Sequence, residues 1–89
     1  MFVDPFIHTS NNPTSPAETC FEIIPNDSAD IQMATKAIYV GQGGNLAIIS
    51  VRNESPVTFT NIAPGSILDI RVRRILVTGT TAREIVGLA

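Results

Sequence analysis

The sequence predicts an all-β domain, a small six- to seven-stranded β-sandwich or barrel with an extended N-terminal arm. Three observations carry this. Val, Ile and Thr, whose branched Cβ favours extended backbone, make up 28 of the 89 residues. Turn signals recur about every ten residues along most of the chain. Leu, Ala and Glu gather nowhere at helical spacing over a long window. The domain division expected is an arm over residues 1–19 and a single β domain over residues 20–89.

Length and composition bound the rest. A chain of 89 residues supports one domain, which buries only about 63% of its extended surface on folding. Charged residues are 16% of the chain and apolar residues 44%. That is too few charges for a disordered tail, and fewer than the roughly one quarter of a typical solvated domain. A thin core and a sparsely charged surface both gain from a partner subunit. The net charge of −2 and pI of about 5.1 give no whole-chain footprint for nucleic acid. Cys20 stands alone, so no internal disulfide is expected and assembly in a reducing cytoplasm fits. The opening Met1-Phe2-Val3-Asp4-Pro5 has no basic region of the signal-peptide kind. The longest apolar runs are a few residues, so no membrane insertion is expected.

The elements follow in order. Residues 1–19 hold Pro5, Pro13 and Pro16 and the polar run Thr9-Ser10-Asn11-Asn12, which favour extended or turning backbone. The large apolar Phe2, Val3, Phe6 and Ile7 at the far end call for cover, from their own domain or from a groove on a neighbouring subunit. Cys20-Phe21-Glu22-Ile23-Ile24 is a short strand stopped by Pro25, and residues 26–30 are a loop in which Asp27 is placed to cap one helical turn through Met33. Ala37-Ile38-Tyr39-Val40 and Leu46-Ala47-Ile48-Ile49-Ser50-Val51 read as two strands of a hairpin joined by Gly41-Gln42-Gly43-Gly44. After the polar turn at residues 52–56, Val57-Thr58-Phe59-Thr60 alternates, with Val57 and Phe59 on one face. Ala63-Pro64-Gly65-Ser66 is a Pro-Gly turn. Residues 67–77 read as the longest strand. Leu68, Ile70 and Val72 share one face, then Ile75 and Val77 take the opposite parity, the signature of a β-bulge near Arg74. Thr78-Gly79-Thr80-Thr81 turns the chain into a last strand, Glu84-Ile85-Val86-Gly87-Leu88.

No catalytic constellation emerges. His8 is the single histidine, and Cys20 lies twelve residues away without a companion, so neither a metal site nor a nucleophile triad is expected, and no cofactor. Gly41-Gln42-Gly43-Gly44 lacks the Lys and the following helix of a phosphate loop. Asp27 and Asp30 fit turn and cap roles better than acid–base work. Arg71, Arg73 and Arg74 concentrate half of the six basic residues. Such a strand grips phosphate or pairs with carboxylates at an interface. No aromatic residues interleave with it and the chain is acidic, which favours the interface.

The ordered set of segments resembles the head spike base proteins of gene transfer agents and related tailed phages. The segments are Asp4-Pro5-Phe6, Ile24-Pro25-Asn26-Asp27-Ser28-Ala29-Asp30, Thr35-Lys36-Ala37-Ile38-Tyr39-Val40-Gly41 with Gly44, and Val57-Thr58-Phe59-Thr60-Asn61-Ile62. They continue with Gly65-Ser66-Ile67-Leu68, Arg71-Val72-Arg73-Arg74-Ile75, Thr78-Gly79-Thr80-Thr81-Ala82, and Ile85-Val86 with Leu88. Asp69 departs from the pattern, and Asn53-Glu54-Ser55-Pro56 replaces glycine-rich sequence. The resemblance implies a virion protein without catalytic residues. It would form a homo-oligomeric ring, a pentamer by its vertex location, and join capsid protein to a spike fibre. Phe2, Phe6, Ile7, Arg71, Arg73 and Arg74 are the expected interface residues. The competing reading is a small β-domain binding module for a ligand or nucleic acid through the Arg71, Arg73 and Arg74 strand.

Overall fold

In the computed structural model, which describes residues 15–89, seven strands form two antiparallel sheets and no helix is present among the described residues. The strands are β1 (Cys20–Glu22), β2 (Ala37–Gln42), β3 (Gly44–Ser50), β4 (Val57–Ile62), β5 (Ser66–Leu68), β6 (Val72–Ile75) and β7 (Arg83–Leu88). The first sheet has the order β1-β7-β2-β5 and the second β4-β3-β6. The fold is therefore a sandwich rather than a barrel. Expectations for residues 1–14, Phe2, Phe6 and Ile7 included, lie outside the described residues. Residues 15–19 have no regular structure, but Glu18 and Thr19 both donate their N–H to the Ala89 carbonyl.

The core lies between the sheets. Ile38, Val40 and Ile85 enter from the first sheet, and Leu46, Ile48, Val72 and Ile75 from the second, all at most 2% exposed. Ile38 and Val40, and Leu46 and Ile48, keep the period of two that strand alternation requires, whereas Val72 and Ile75 are three apart with the extra residue Arg73 between them. On β1, Phe21 faces Gly87 of β7. A Cβ at Gly87 would lie 2.7 Å from the Phe21 ring, so the missing side chain makes the space in which the ring lies.

The chain changes sheets more often than its sequence suggests. β2 and β3 are not a hairpin: they belong to different sheets. Both strands run into the glycine-rich segment, and Gly43 alone separates them. The Ile62 carbonyl approaches Gly43 too closely to admit any side chain, and Pro64 N would lie 2.9 Å from a Cβ there. The glycines permit a sheet-to-sheet crossing against the 62–64 backbone, not a tight reversal. The long strand expected over residues 67–77 is likewise two strands in two sheets, β5 and β6, broken at residues 69–71. The chain passes there from pairing with β2 to pairing with β3, and Leu68, Ile70 and Val72 keep one parity across the break, so the sequence pattern does not show it. The bulge itself is present, one residue earlier than expected. The β3–β6 register pairs Ile49 with Arg74 and Ser50 with Val72, which leaves Arg73 as the extra residue. The Pro-Gly turn stands, with Gly65 at φ 80°, as its third position requires.

The expected helical turn capped by Asp27 does not form. Asn26 takes the local role instead, its Oδ1 accepting the N–H groups of Ser28 and Ala29 at 2.8 and 2.9 Å. The Asx turn this makes offers the backbone an alternative to helix. Asp27 is thereby aimed away from its own segment.

Thr35 closes the β5–β6 switch. It is fully buried. Its Oγ1 accepts the Val72 N–H at 3.1 Å and donates to the Ile70 carbonyl at 3.2 Å. Replacing Thr35 by Val keeps the shape and strands both groups. The expected outcome is a loss of about 1–3 kcal/mol in urea unfolding, with Thr35→Ser retaining most of the stability.

Candidate functional site

The arginine strand is tied to its own chain. Asp30, in the loop before β2, accepts Arg73 Nη1 at 3.1 and 3.2 Å and Arg74 Nε at 2.8 Å. Arg74 Nη2 also lies 2.8 Å from Asp30 Oδ1. Consecutive strand residues normally point to opposite faces; the extra residue at Arg73 lets both guanidinium groups meet one carboxylate. Arg73 further donates to the Asn53 carbonyl at 2.8 Å. Arg71 is exposed, and its Nε reaches the Thr35 carbonyl at 3.3 Å. Two of the three arginines are thus gathered on Asp30, and the third stands apart on the β5–β6 crossing.

Asp27 makes the second tie. Its Oδ1 accepts the N–H groups of Val77 and Thr78 at 2.8 and 3.0 Å, and its Oδ2 accepts the Thr78 hydroxyl at 2.8 Å. The Thr78 backbone and side-chain hydrogen bonds hold the Asp27 carboxyl below the ordinary carboxylate range. The Arg74 side chain does the same for Asp30, with Arg73 adding to it. Neither aspartate has the environment of a proton donor or acceptor near neutral pH. Among the described residues no group of three or more His, Cys, Asp or Glu is placed to hold a metal ion.

Together these ties fold residues 26–35 along the outer edge of β6. Asn26, Ile31 and Thr35 donate their N–H groups to the carbonyls of Ile75, Arg73 and Val72. The other end of the second sheet has no such cover among the described residues. There β4 is an edge strand of six residues without a charge, and Val57 is 48% exposed. Bare uncharged edges of this kind recruit other strands.

Two apolar surfaces complete the picture. The β-ladder aligns Ile67, Tyr39, Val86 and Glu22 in one row across the first sheet. Ile67 is 62% and Tyr39 38% exposed, so the outer face of that sheet presents an apolar row with an acid at one end. The second surface is a cleft of about 650 Å³ at the β1 edge, between β1 and the 26–33 segment. Its walls include Thr19, Phe21, Ile23, Ile24, Ile31 and Met33, and Ile24 is 70% exposed.

The sequence singled out the arginines but not their acceptor. Asp30 lies more than forty residues away, with no local signal to join them. Tyr39 and Ile67 carried a readable signal, since Tyr39 has the parity opposite to the buried Ile38 and Val40 and Ile67 that opposite to the half-buried Leu68.

Comparison with known proteins gives one clear result. No family model matches the sequence, and no curated protein matches it. Among solved structures, a chain of the capsid of a native gene transfer agent particle, computed with C5 symmetry, superposes with a TM-score of 0.87. The two are 37% identical over 98% of this chain and 100% of that one. The chain belongs to the same family, that of gene transfer agent and phage structural proteins. Similarity of this extent covers both sheets, so the family's sandwich and the sheet switches of this chain are one architecture.

The pH response of the two ties is fixed in sign. Both carboxyls ionise more readily folded than unfolded, so their contribution is complete above the ordinary carboxylate value and is lost as the pH falls through the lower folded one. The thermal midpoint is expected to drop on acidification below about pH 4. An Asp30→Asn variant should start lower at neutral pH and lose less on acidification, as followed by circular dichroism.

Proposed function

We propose that this chain is a structural virion protein, the base of a head spike. Identical copies form a ring at capsid vertices, with five the favoured number, and join the capsid to a spike fibre. The reading places the protein on the virion after assembly in the host cytoplasm, with capsid protein, fibre protein and its own copies as partners. It assigns no catalysis, cofactor or nucleic-acid partner to the chain. The observation that carries it is the end-to-end likeness to a chain of a gene transfer agent capsid particle computed with C5 symmetry. Five-fold symmetry is the symmetry of a capsid vertex, and a cyclic ring repeats one heterologous contact until it closes. The open β4 edge and the exposed row of Ile67 and Tyr39 supply surface for such contacts.

The competing reading, a small β-domain binding module for a ligand or nucleic acid on Arg71, Arg73 and Arg74, is weakened by the geometry. Asp30 takes up the guanidinium groups of Arg73 and Arg74, and a phosphate would have to displace it. Titration with a fluorescent oligonucleotide at two salt concentrations discriminates. No binding is expected even at low salt, where a phosphate-driven contact would be strongest.

The main test is the oligomeric state and the particle. Light scattering of the purified chain should report a homo-oligomer, and electron microscopy of particles lacking the protein should show vertices without spikes. A stable monomer at high concentration, or spikes that persist without the chain, overturns the reading.

A further inference from the structure

The two flanks of the sandwich are unlike. At one, β4 and β5 are the end strands of the two sheets, joined by the turn at residues 63–65. At the other, β1 ends the first sheet, and the 26–35 segment runs along β6 in the second layer. The cleft opens between these two, with Phe21, Ile23 and Ile24 on one wall and Ile31 and Met33 on the other. Beyond β1, β4 and β5 no further strand is paired among the described residues.

The core reaches the surface at both flanks. Phe21, Ile31, Phe59, Ile62 and Leu68 pack on the buried cluster and stay only partly covered. The first two border the cleft, and the other three belong to β4 and β5. The flanks also match in charge. Neither β4 nor β5 includes a charged residue. Asp30, at the cleft, already has its charge met by Arg73 and Arg74. Glu22, at the rim, has the parity of the outer row with Tyr39 and Ile67.

Strand direction and side-chain parity match as well. Every neighbouring pair in the first sheet is antiparallel, so across its four strands the outermost two, β1 and β5, run in opposite directions. Copies related by rotation about an axis along the strands keep their strand directions. β5 of one copy then meets β1 of the next antiparallel, and each is three residues long. The ladder puts Phe21, Gly87, Ile38 and Leu68 in one row, and Glu22, Val86, Tyr39 and Ile67 in the next. A ring that continues these rows sets Leu68 beside Phe21 on the inner side and Ile67 beside Glu22 on the outer. The second sheet stays in its own layer, so β4 arrives against the 26–35 segment, and the two together close the cleft.

We propose that β4 and β5 of one copy dock on β1 and the cleft of a second copy, so that the first sheet runs on from subunit to subunit. The inference rests on the ring reading above and names its contact. Two different surfaces meet at every junction, which is the heterologous contact that a closed ring repeats. Main-chain hydrogen bonds between β5 and β1 hold the junction in the manner of strand addition. Each junction also removes free sheet edges that would otherwise recruit stray chains. The half-buried Leu68, Phe59 and Ile62 of one copy cover the half-buried Phe21 and Ile31 of the other.

The test is disulfide trapping in the full-length chain. Glu22→Cys and Ile67→Cys are introduced singly and together, always with Cys20→Ser, which removes the exposed native thiol. Within one chain the two positions sit at opposite edges of the sheet, three strand spacings or about 14 Å apart. A disulfide spans no more than roughly 7 Å between Cα atoms, so any link joins two chains. After mild oxidation, non-reducing denaturing electrophoresis of the double variant should show a ladder of linked chains that ends at the ring number and collapses on reduction. Neither single variant should link. Linkage in a single variant overturns the proposal, because like edges then meet. So does the absence of linkage in an assembly that light scattering shows to be intact, and the ring reading then stands without this contact. A monomeric unmodified protein removes the ring reading and this inference with it. As a second measure, Val57→Lys on the β4 edge should weaken self-association roughly tenfold or more, since the docked flank buries an unpaired charge, while leaving the β circular dichroism spectrum unchanged. Undiminished association overturns the proposal.

Discussion

Backbone hydrogen bonding is the constraint on which this small sandwich depends. A chain that changes sheets as often as this one repeatedly takes N–H and C=O groups out of a ladder, and buried groups of that kind must find partners. Side-chain oxygens supply them. Thr35 bridges Ile70 and Val72 where β5 becomes β6. Thr80 and Thr81 accept the Ala47 and Asn45 N–H groups where the chain leaves β6 along β3. Asp27 accepts two more N–H groups at residues 77 and 78. Among the described residues no buried side-chain nitrogen or oxygen is left without a partner. With so thin a core, such groups decide whether the switches hold.

The strands were legible because their alternation is a local property. β2 and β7 can be read from Ile38 and Val40, and from Ile85 and Gly87, whose buried positions recur every second residue. Sheet membership was not legible. A glycine-rich link between two apolar runs has the same appearance whether the strands pair or part, and only the approach of the Ile62 carbonyl to Gly43 separates the cases. The bulge at Arg73 left a mark in the parity of residues 72–77, while the break at residues 69–71 left none, because Leu68, Ile70 and Val72 keep one parity across it. Asp27 carried the composition of a cap and is instead a long-range tie. Local residue type reports what a side chain can accept, not which distant donor reaches it. The arginines of β6 were found by their density, but their engagement by Asp30 is a tertiary fact.

The two sheets treat their surroundings differently. The 26–35 segment lies along the β6 edge, and residues 76–82 run on beside β3, with Leu76, Thr81 and Ala82 donating to Ala47 and Asn45. The first sheet keeps a cleft at one side and the Ile67, Tyr39 and Val86 row on its outer face. This asymmetry is what a subunit with distinct neighbours requires. A symmetric surface favours pairs of like with like, whereas unlike surfaces on one molecule allow rings and stacked layers.

The uncharged strand β4 has a consequence for solubility. A folded chain offers this ribbon of unpaired N–H and C=O groups to any strand that it meets. Copies at high concentration would pair through it edge to edge, and a pairing that does not close grows into a filament. The concentration at which separate copies stay dispersed is then set by this edge as well as by the faces of the sheets.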